Sequence, residues 1–343
     1  MTSNSLVLPN MSDKPTSHGN ISEEQSYLPE RPSYEHSCDL LDNAADEYWI
    51  PVLEFLRNKH QLGAGEFVRI KEGANALFKL GGRLIIKLVP PNWGYQGEAE
   101  IEGNRIVSGK LSIAIPEVIG NGEVNRWIYV VMSVLPGVSL ADVWDGLEHQ
   151  QKLHLIAQLG RFIRELHLIA TPKNSCLKVD WAAYHQQLLD ECVPRHVRKK
   201  LSQKLAAQIP AYLAASSDYF DDTKSIFIHM DLHQWNLMVE RTGQDYHICG
   251  ILDFGDAVIG KSRLLELATP LLFLCQGNRE LCACLLEKNY GLFDQVDKVN
   301  IQKNFMLVSL LRPACDFNFV LQQVPSTGAR NSLDEIASEL FPV

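Results

Sequence analysis

The sequence predicts an α+β protein of two lobes, a small antiparallel sheet followed by a larger, mainly helical body. Three observations carry that expectation. The chain has 343 residues, and single hydrophobic cores seldom grow far past about 250 residues. Between Phe67 and Met132, short apolar runs alternate with glycine-bearing turns, the pattern of a strand meander. Beyond Ser139 the apolar residues recur at helical spacing instead.

Taken in order, residues 1–38 are rich in Ser, Pro, Asn and Glu and carry no Phe or Trp. Such a composition buries too little apolar surface to offset ordering entropy, so a disordered leader is expected there. A single helix follows, with Leu40, Leu41, Tyr48, Trp49, Val52, Leu53 and Leu56 on its apolar face. Phe67–Ile70, Ala76–Leu80 and Leu84–Val89 read as strands, separated by Gly73-Ala-Asn and Gly81-Gly82. A helical segment is expected near 97–108, and the runs from Pro116 and over Trp127–Met132 read as further strands. Leu153, Ile156, Leu159, Ile163 and Leu166 mark a helix over 151–170, and more helix follows from Trp181. Three apolar runs then cluster: Ser225–Ile228, Leu237–Glu240 and Tyr246–Leu252. From Leu264 onward the pattern is again helical. The domains expected are therefore 1–38 as leader, 39–138 as the sheet lobe, and 139–343 as the helical lobe.

Lys plus Arg number 32 against 41 Asp plus Glu, a formal charge of −9. A general nucleic-acid binder usually carries a basic face, so that class is disfavoured. The eight cysteines form no CxxC pair, which favours free thiols over a zinc or disulfide framework. No apolar run approaches the roughly 18 residues of a membrane span, and the N-terminus lacks a signal peptide's pattern. A cytoplasmic protein without a membrane partner is the expectation.

The chemistry is concentrated in Phe227-Ile-His-Met-Asp-Leu-His-Gln-Trp-Asn-Leu-Met-Val239 and Gly250-Ile-Leu-Asp-Phe-Gly-Asp-Ala257. His229, Asp231 and Asn236 lie on a loop held by strands at both ends. Asp253 closes an apolar strand just before Phe254-Gly255. Two carboxylates and a carboxamide are thus gathered at one strand end, a set suited to a hard cation bound partly by protein oxygens and partly by phosphates. Phosphoryl transfer asks for little more: a carboxylate for the attacking hydroxyl's proton, Mg²⁺ ligands, and a cation at the nucleotide phosphates.

The form His-x-Asp-x₄-Asn followed by Ile-x-Asp-Phe-Gly-Asp-Ala resembles the aminoglycoside phosphotransferase family. That family shares its protein-kinase-like fold with choline, homoserine, fructosamine and macrolide kinases. The resemblance spans roughly residues 60–320 and implies an ATP- and Mg²⁺-dependent kinase acting on a hydroxyl of a small molecule. It implies Asp231 as the catalytic carboxylate, Asn236 and Asp253 as Mg²⁺ ligands, and His229 as a structural brace. Lys87 is implied as the phosphate-binding lysine, preferred over Lys79. Its carboxylate partner comes from Glu98, Glu100 and Glu102, and the family's spacing to Pro116 favours Glu102. Gly73 and Asn75 resemble the phosphate-covering turn. Met132, Ser133 and Leu135 match the adenine-binding linker, with Gly137 and Leu140 closing it. One departure is visible: Gly260-Lys-Ser-Arg-Leu-Leu-Glu266 carries an extra residue where the family shows Gly-Asp-Pro.

The acceptor is left open between a cationic aminoglycoside and an amino-alcohol or sugar. Asp190, Glu191, Asp218, Asp221, Asp222 and Asp316 are candidates to line a cleft for a cation. Residues 1–38 contribute −3 of the charge (Asp13, Glu23, Glu24, Glu30 and Glu35 against Lys14 and Arg31), which weakens the case for a cationic partner. His233 and Trp235 are either packing or substrate-facing. The alternative function is a nucleotide-binding pseudokinase or scaffold without turnover, against which the intact Asp231, Asn236 and Asp253 argue.

Overall fold

The computed structural model describes residues 27–71, 73–214, 224–294, 301–324 and 330–343. They form two compact units. The first comprises the chain to Ile101 together with Glu117–Val134, and the second Glu102–Pro116 together with Leu135–Val343.

In the first unit, α1 (Tyr34–Asn43) starts at Ser33, whose hydroxyl accepts from the His36 N–H, and α2 (Asp46–His60) follows. Three strands come next: β1 (Phe67–Ile70), β2 (Ala76–Leu80) and β3 (Leu84–Val89). The first half of α3 (Tyr95–Val107, which passes into the second unit at Glu102), β4 (Val118–Val124) and β5 (Trp127–Ser133) complete the set. The strands make one antiparallel sheet in the order β1-β2-β3-β5-β4. Alternation along β2 sends Ala76, Phe78 and Leu80 to the buried face. There they meet Trp49, Val52, Leu53 and Leu56 of α2 and Trp127 of β5 in one core cluster. The Trp49 ring stands edge-on to Trp127 at 5.9 Å.

The expected leader is corrected over residues 27–38. Leu28 is buried, the Trp127 indole donates to the Pro29 carbonyl at 2.9 Å, and the Asn125 amide donates to the Leu28 carbonyl at 2.7 Å. α1 itself begins at Tyr34. The segment lacks apolar surface of its own and gains order by docking on a tryptophan and an asparagine almost a hundred residues away. The remainder of the expected leader lies outside the described residues.

The second unit opens with β6 (Val138–Ser139), α4 (Leu140–Val143) and α5 (His149–His167). α6 (Trp181–Arg198), α7 (Gln203–Ala206) and α8 (Ile209–Ala214) follow. Four strands come next: β7 (Ile226–Ile228), β8 (Leu237–Thr242), β9 (Asp245–Ile251) and β10 (Val258–Gly260). The chain ends in α9 (Arg263–Pro270), α10 (Arg279–Ala283), α11 (Ile301–Leu311), α12 (Phe317–Gln323) and α13 (Leu333–Leu340). β6, β8 and β9 form one small sheet, while β7 pairs with β10 in another. Gly137 (φ +88°) feeds β6, and a Cβ there would sit 2.4 Å from the Val239 carbonyl, so only glycine fits this approach. None of the eight cysteines is in a disulfide. Among the described residues no helix is long and apolar enough to cross a membrane.

Candidate active site

The segment from β7 to β8 carries the first half of the site. Met230 takes a left-handed backbone conformation (φ 71°), which a non-glycine residue adopts only when its surroundings impose it. Glu266 of α9 imposes it: its carboxylate accepts the His229 N–H at 2.5 Å and the Met230 N–H at 3.2 Å. The Thr269 hydroxyl, one turn on, donates to the Met230 carbonyl at 2.8 Å. Glu266 is fully buried. Burial pushes its pKa up to about 8, against the pull of the two N–H groups and Arg312.

His229 is buried and braces the loop. Its Nδ1 accepts the Asp231 N–H at 3.3 Å, which leaves Nε2 to donate to the Leu252 carbonyl at 3.1 Å. The ring also packs on Phe254 at 4.7 Å. Burial lowers its pKa to about 4 although two carboxylates pull the other way, so the imidazole is neutral at physiological pH.

Asp231 is the focus. The Arg312 guanidinium donates to Oδ1, His233 Nε2 lies 3.1 Å from Oδ2, and the Asn236 amide donates to Oδ2 at 3.0 Å. Burial alone would raise its pKa. His233, Arg312 and His229 outweigh burial and hold the carboxyl far below the usual range. A carboxylate has about four acceptor positions. Three are taken among the described residues, and the side chain is 21% exposed. One position is left open.

Asn236 spends its amide nitrogen twice on Asp231, on the backbone carbonyl and on Oδ2, each at 3.0 Å. The atom it can offer a cation is therefore Oδ1. Its carbonyl accepts the Leu252 N–H at 2.9 Å, which brings it beside the end of β9, where Asp253 stands with φ 63°. Asp253 Oδ1 accepts the Gly255 N–H at 3.1 Å. An amide oxygen and a carboxylate are hard oxygen donors that fit Mg²⁺ completed by phosphate oxygens. Among the described residues no three His, Cys, Asp or Glu side chains converge as a self-sufficient metal cage. Behind Asp253, Phe254 packs so closely on Gly103 of α3 that a Cβ there would lie 2.8 Å from the Phe254 Cβ.

In the first unit Lys87 of β3 is buried, its Nζ 2.8 Å from Glu100 Oε2, and Glu100 is 1% exposed. The expected partner, Glu102, is corrected. It binds the largely exposed Arg105 at 2.6 Å. Two residues apart on an α-helix means about 200° apart in direction, so a helix presenting Glu100 to the sheet must turn Glu102 away. Lys79, the rival lysine, is only partly buried.

Of the remaining candidates, Gly73 has φ +112° in the turn after β1. Asn75 accepts from the Trp93 indole at 2.9 Å and lies 3.4 Å from the Gln96 amide, so its side chain anchors the turn. Met132 is buried in β5 between Ile85 and Val118. Ser133 donates its N–H to the Glu117 carbonyl and accepts the Glu117 N–H on its hydroxyl, each at 2.9 Å. Leu135 belongs to the second unit and covers Gly250.

Glu266 and Arg312 were not anticipated. Each is a lone charge closing or interrupting an apolar helix, Leu264-Leu-Glu-Leu-Ala and Leu310-Leu-Arg. A charge in such a run has to find a buried partner, and that was the signal available for both.

A family model described as the phosphotransferase enzyme family matches residues 66–280. The chain belongs to that family. It is a phosphotransferase of the kinase type, and the match encloses Lys87, Glu100, Asp231, Asn236, Asp253 and Glu266. Among solved structures, the GDP complex of wild-type aminoglycoside 2′-phosphotransferase-IIIa is similar, with TM-score 0.63, 17% identity, and 84% of this chain and 98% of that one covered. The streptomycin–ATP ternary complex of APH(2″)-IIa gives TM-score 0.56 at 17% identity, covering 85% and 95%. APH(3″)-Id from Streptomyces rimosus gives 0.52 at 16%, covering 76% and 98%. At such identities the likeness is one of fold, the kinase-like fold. No curated protein matches the chain.

Proposed function

We propose that this phosphotransferase moves the γ-phosphoryl group of ATP to a hydroxyl of a small molecule. The observation that carries the reading is Asp231, kept ionised by three side-chain donors with one acceptor position open. In the step, the acceptor hydroxyl gives its hydrogen bond, and then its proton, to Asp231. The bond between the γ-phosphorus and the β,γ-bridging oxygen breaks as the acceptor oxygen bonds to phosphorus, and ADP leaves with that electron pair. Asn236 Oδ1 and the Asp253 carboxylate would hold Mg²⁺, which when bound neutralises phosphate charge. Lys87, tethered by Glu100, would bind the nucleotide phosphates, while Gly73, Asn75, Met132, Ser133 and Leu135 would serve the nucleotide as turn and linker. His229 and Glu266 hold the loop's shape and do not transfer protons.

A positioned base is worth roughly 10²- to 10⁴-fold in rate. Asp231→Asn should therefore lose at least about a hundredfold in phosphoryl transfer while still binding nucleotide by calorimetry. An Asp231→Asn enzyme as fast as wild type would overturn the assignment. Nucleotide binding by the wild type without transfer to any alcohol would favour a pseudokinase.

A further inference from the structure

Beside Asp231 lies a group of rings that the phosphotransfer chemistry does not require. The His233 ring, whose Nε2 touches Asp231, stands edge-on to Trp235 at 5.1 Å and to Phe273 at 5.8 Å. Trp235 meets Phe273 at 6.1 Å and Phe319 of α12 at 6.4 Å, and those two phenylalanines are 6.0 Å apart. Phe273 is buried, yet Trp235 is 44% exposed. It is the one tryptophan among the large apolar side chains left open on the described surface.

Three features show that this shelf is built rather than incidental. Trp235 sits inside the catalytic loop itself, four residues past Asp231. Phe273 is delivered by Leu271–Cys275, a π-helical turn following Pro270, and such turns are rare and concentrate at functional sites. Phe319 is fixed by Asp316, whose carboxylate accepts the Phe319 N–H at 3.2 Å and caps α12. A solvent-facing indole backed by two phenylalanines and reaching the catalytic carboxylate through one imidazole offers a flat apolar face where an acceptor's body would lie.

The local charge indicates what kind of body. Arg312 and His233 both bear on Asp231, so the shelf is not a region of uncompensated negative charge. Of the acids that could have drawn a polycation, Glu191 is paired with Arg198 at 3.0 Å, Asp190 takes the Gln186 amide at 2.9 Å, and Asp316 is spent on its cap. Asp218, Asp221 and Asp222 lie outside the described residues. An exposed aromatic adds only modest attraction for a cation, whereas a ring or apolar sugar face gains its full contact area.

From this geometry we propose that Trp235, Phe273 and Phe319 form the acceptor subsite, and that the acceptor is an uncharged alcohol carrying a flat ring that stacks on Trp235. The inference rests on the phosphotransferase reading and narrows its substrate class.

The test compares phenyl β-D-glucopyranoside with glycerol, choline and kanamycin as acceptors for wild type, Trp235→Ala and Phe319→Leu. Calorimetric binding of the phenyl glucoside is measured in parallel. Expected is a kcat/KM for the phenyl glucoside at least tenfold above each of the other three. Its ratio to glycerol should collapse about tenfold in Trp235→Ala and fall in Phe319→Leu. Trp235→Phe, which keeps a smaller ring, should retain part of the ratio and serves if the alanine variant does not fold. Preference for kanamycin or choline, or an undiminished ratio in both Trp235 variants, overturns the inference and leaves the phosphotransferase reading standing. Binding of the phenyl glucoside that weakens in Trp235→Ala, with no transfer to any acceptor, upholds the subsite and removes the reaction. Neither binding nor transfer of the phenyl glucoside overturns the subsite.

Discussion

Replacing Glu100 by Gln removes a carboxylate 2.8 Å from the ammonium of a lysine that is 4% exposed, at nearly constant volume. Breaking a buried ion pair by neutralising one partner costs up to about 3–5 kcal/mol, because the other charge stays buried with that compensation gone. An independent bound agrees. Lys87 can escape the penalty by losing its proton, and bringing an amine of ordinary pKa near 10.4 to neutrality at pH 7 costs about 4.6 kcal/mol. The loss is therefore bounded at about 5 kcal/mol, a large share of the 5–15 kcal/mol that usually holds a domain. It should shrink as pH rises toward 10. A lysine whose folded pKa is depressed loses stability as pH falls below its unfolded pKa and regains it as pH rises. Glu102→Gln is the internal control. Its Arg105 partner is largely exposed while Glu102 is 15% exposed and also bonds Ser175, so a loss clearly smaller than that of Glu100→Gln is expected. Urea melts of the three proteins at pH 7 and pH 9.5, with nucleotide titrations at pH 7, read both effects. If Glu102→Gln is as destabilising as Glu100→Gln, or if the Glu100 defect does not diminish at high pH, the pairing and its arithmetic are wrong.

Glu266→Ala strands the buried N–H groups of His229 and Met230 at about 1–3 kcal/mol each, so urea denaturation should show a loss of roughly 2–6 kcal/mol with transfer activity falling as well. His229 and His196 are held near pKa 4, and His167 near 3, by burial first of all. Each is a base with a depressed folded pKa. Their contribution is complete above about pH 6.5 and is lost as pH falls toward 4, at a slope approaching three protons or about 4 kcal/mol per pH unit; a pH series of melts with a flat profile from 7 to 4.5 would contradict this. Gly103→Ala drives a methyl into Phe254 and should cost about 1–3 kcal/mol, with a lower kcat because Asp253 adjoins that ring; wild-type melting and kinetics would refute the contact.

Much of the first unit was legible because its signals are local. Ala76-Leu-Phe-Lys-Leu80 alternates, Gly81-Gly82 can only turn, and the strands fall there. The clustering of His229, Asp231, Asn236 and Asp253 was equally legible, since they lie within a single loop and one strand end. Glu100 was not, because the phase of α3 relative to the sheet depends on how the whole helix packs, and counting toward Pro116 runs through the irregular stretch 108–116. Arg312 reaches Asp231 from 81 residues away, and no local pattern encodes that pairing. Residues 27–38 were misread because composition measures what a segment buries by itself. Leu28 instead borrows its core from Trp127 and its neighbours. The pairing of β7 with β10 across the site likewise depends on the fold around it.

His229 touches both carboxylate-bearing segments at once, the Asp231 N–H through Nδ1 and the Leu252 carbonyl through Nε2. A single small ring thereby acts as the spacer that gauges the gap between Asp231 and Asp253, the proposed base and cation ligand. Substitutions at Asp231 and Asp253 are then poor choices for separate dissection, since shifting either backbone is transmitted through the imidazole to the other, and their effects should not add. The same constraint bears on redesign. A larger acceptor has to be accommodated by recutting the Trp235 side of the loop, because widening the site from the His229 side would pull its two acids out of register.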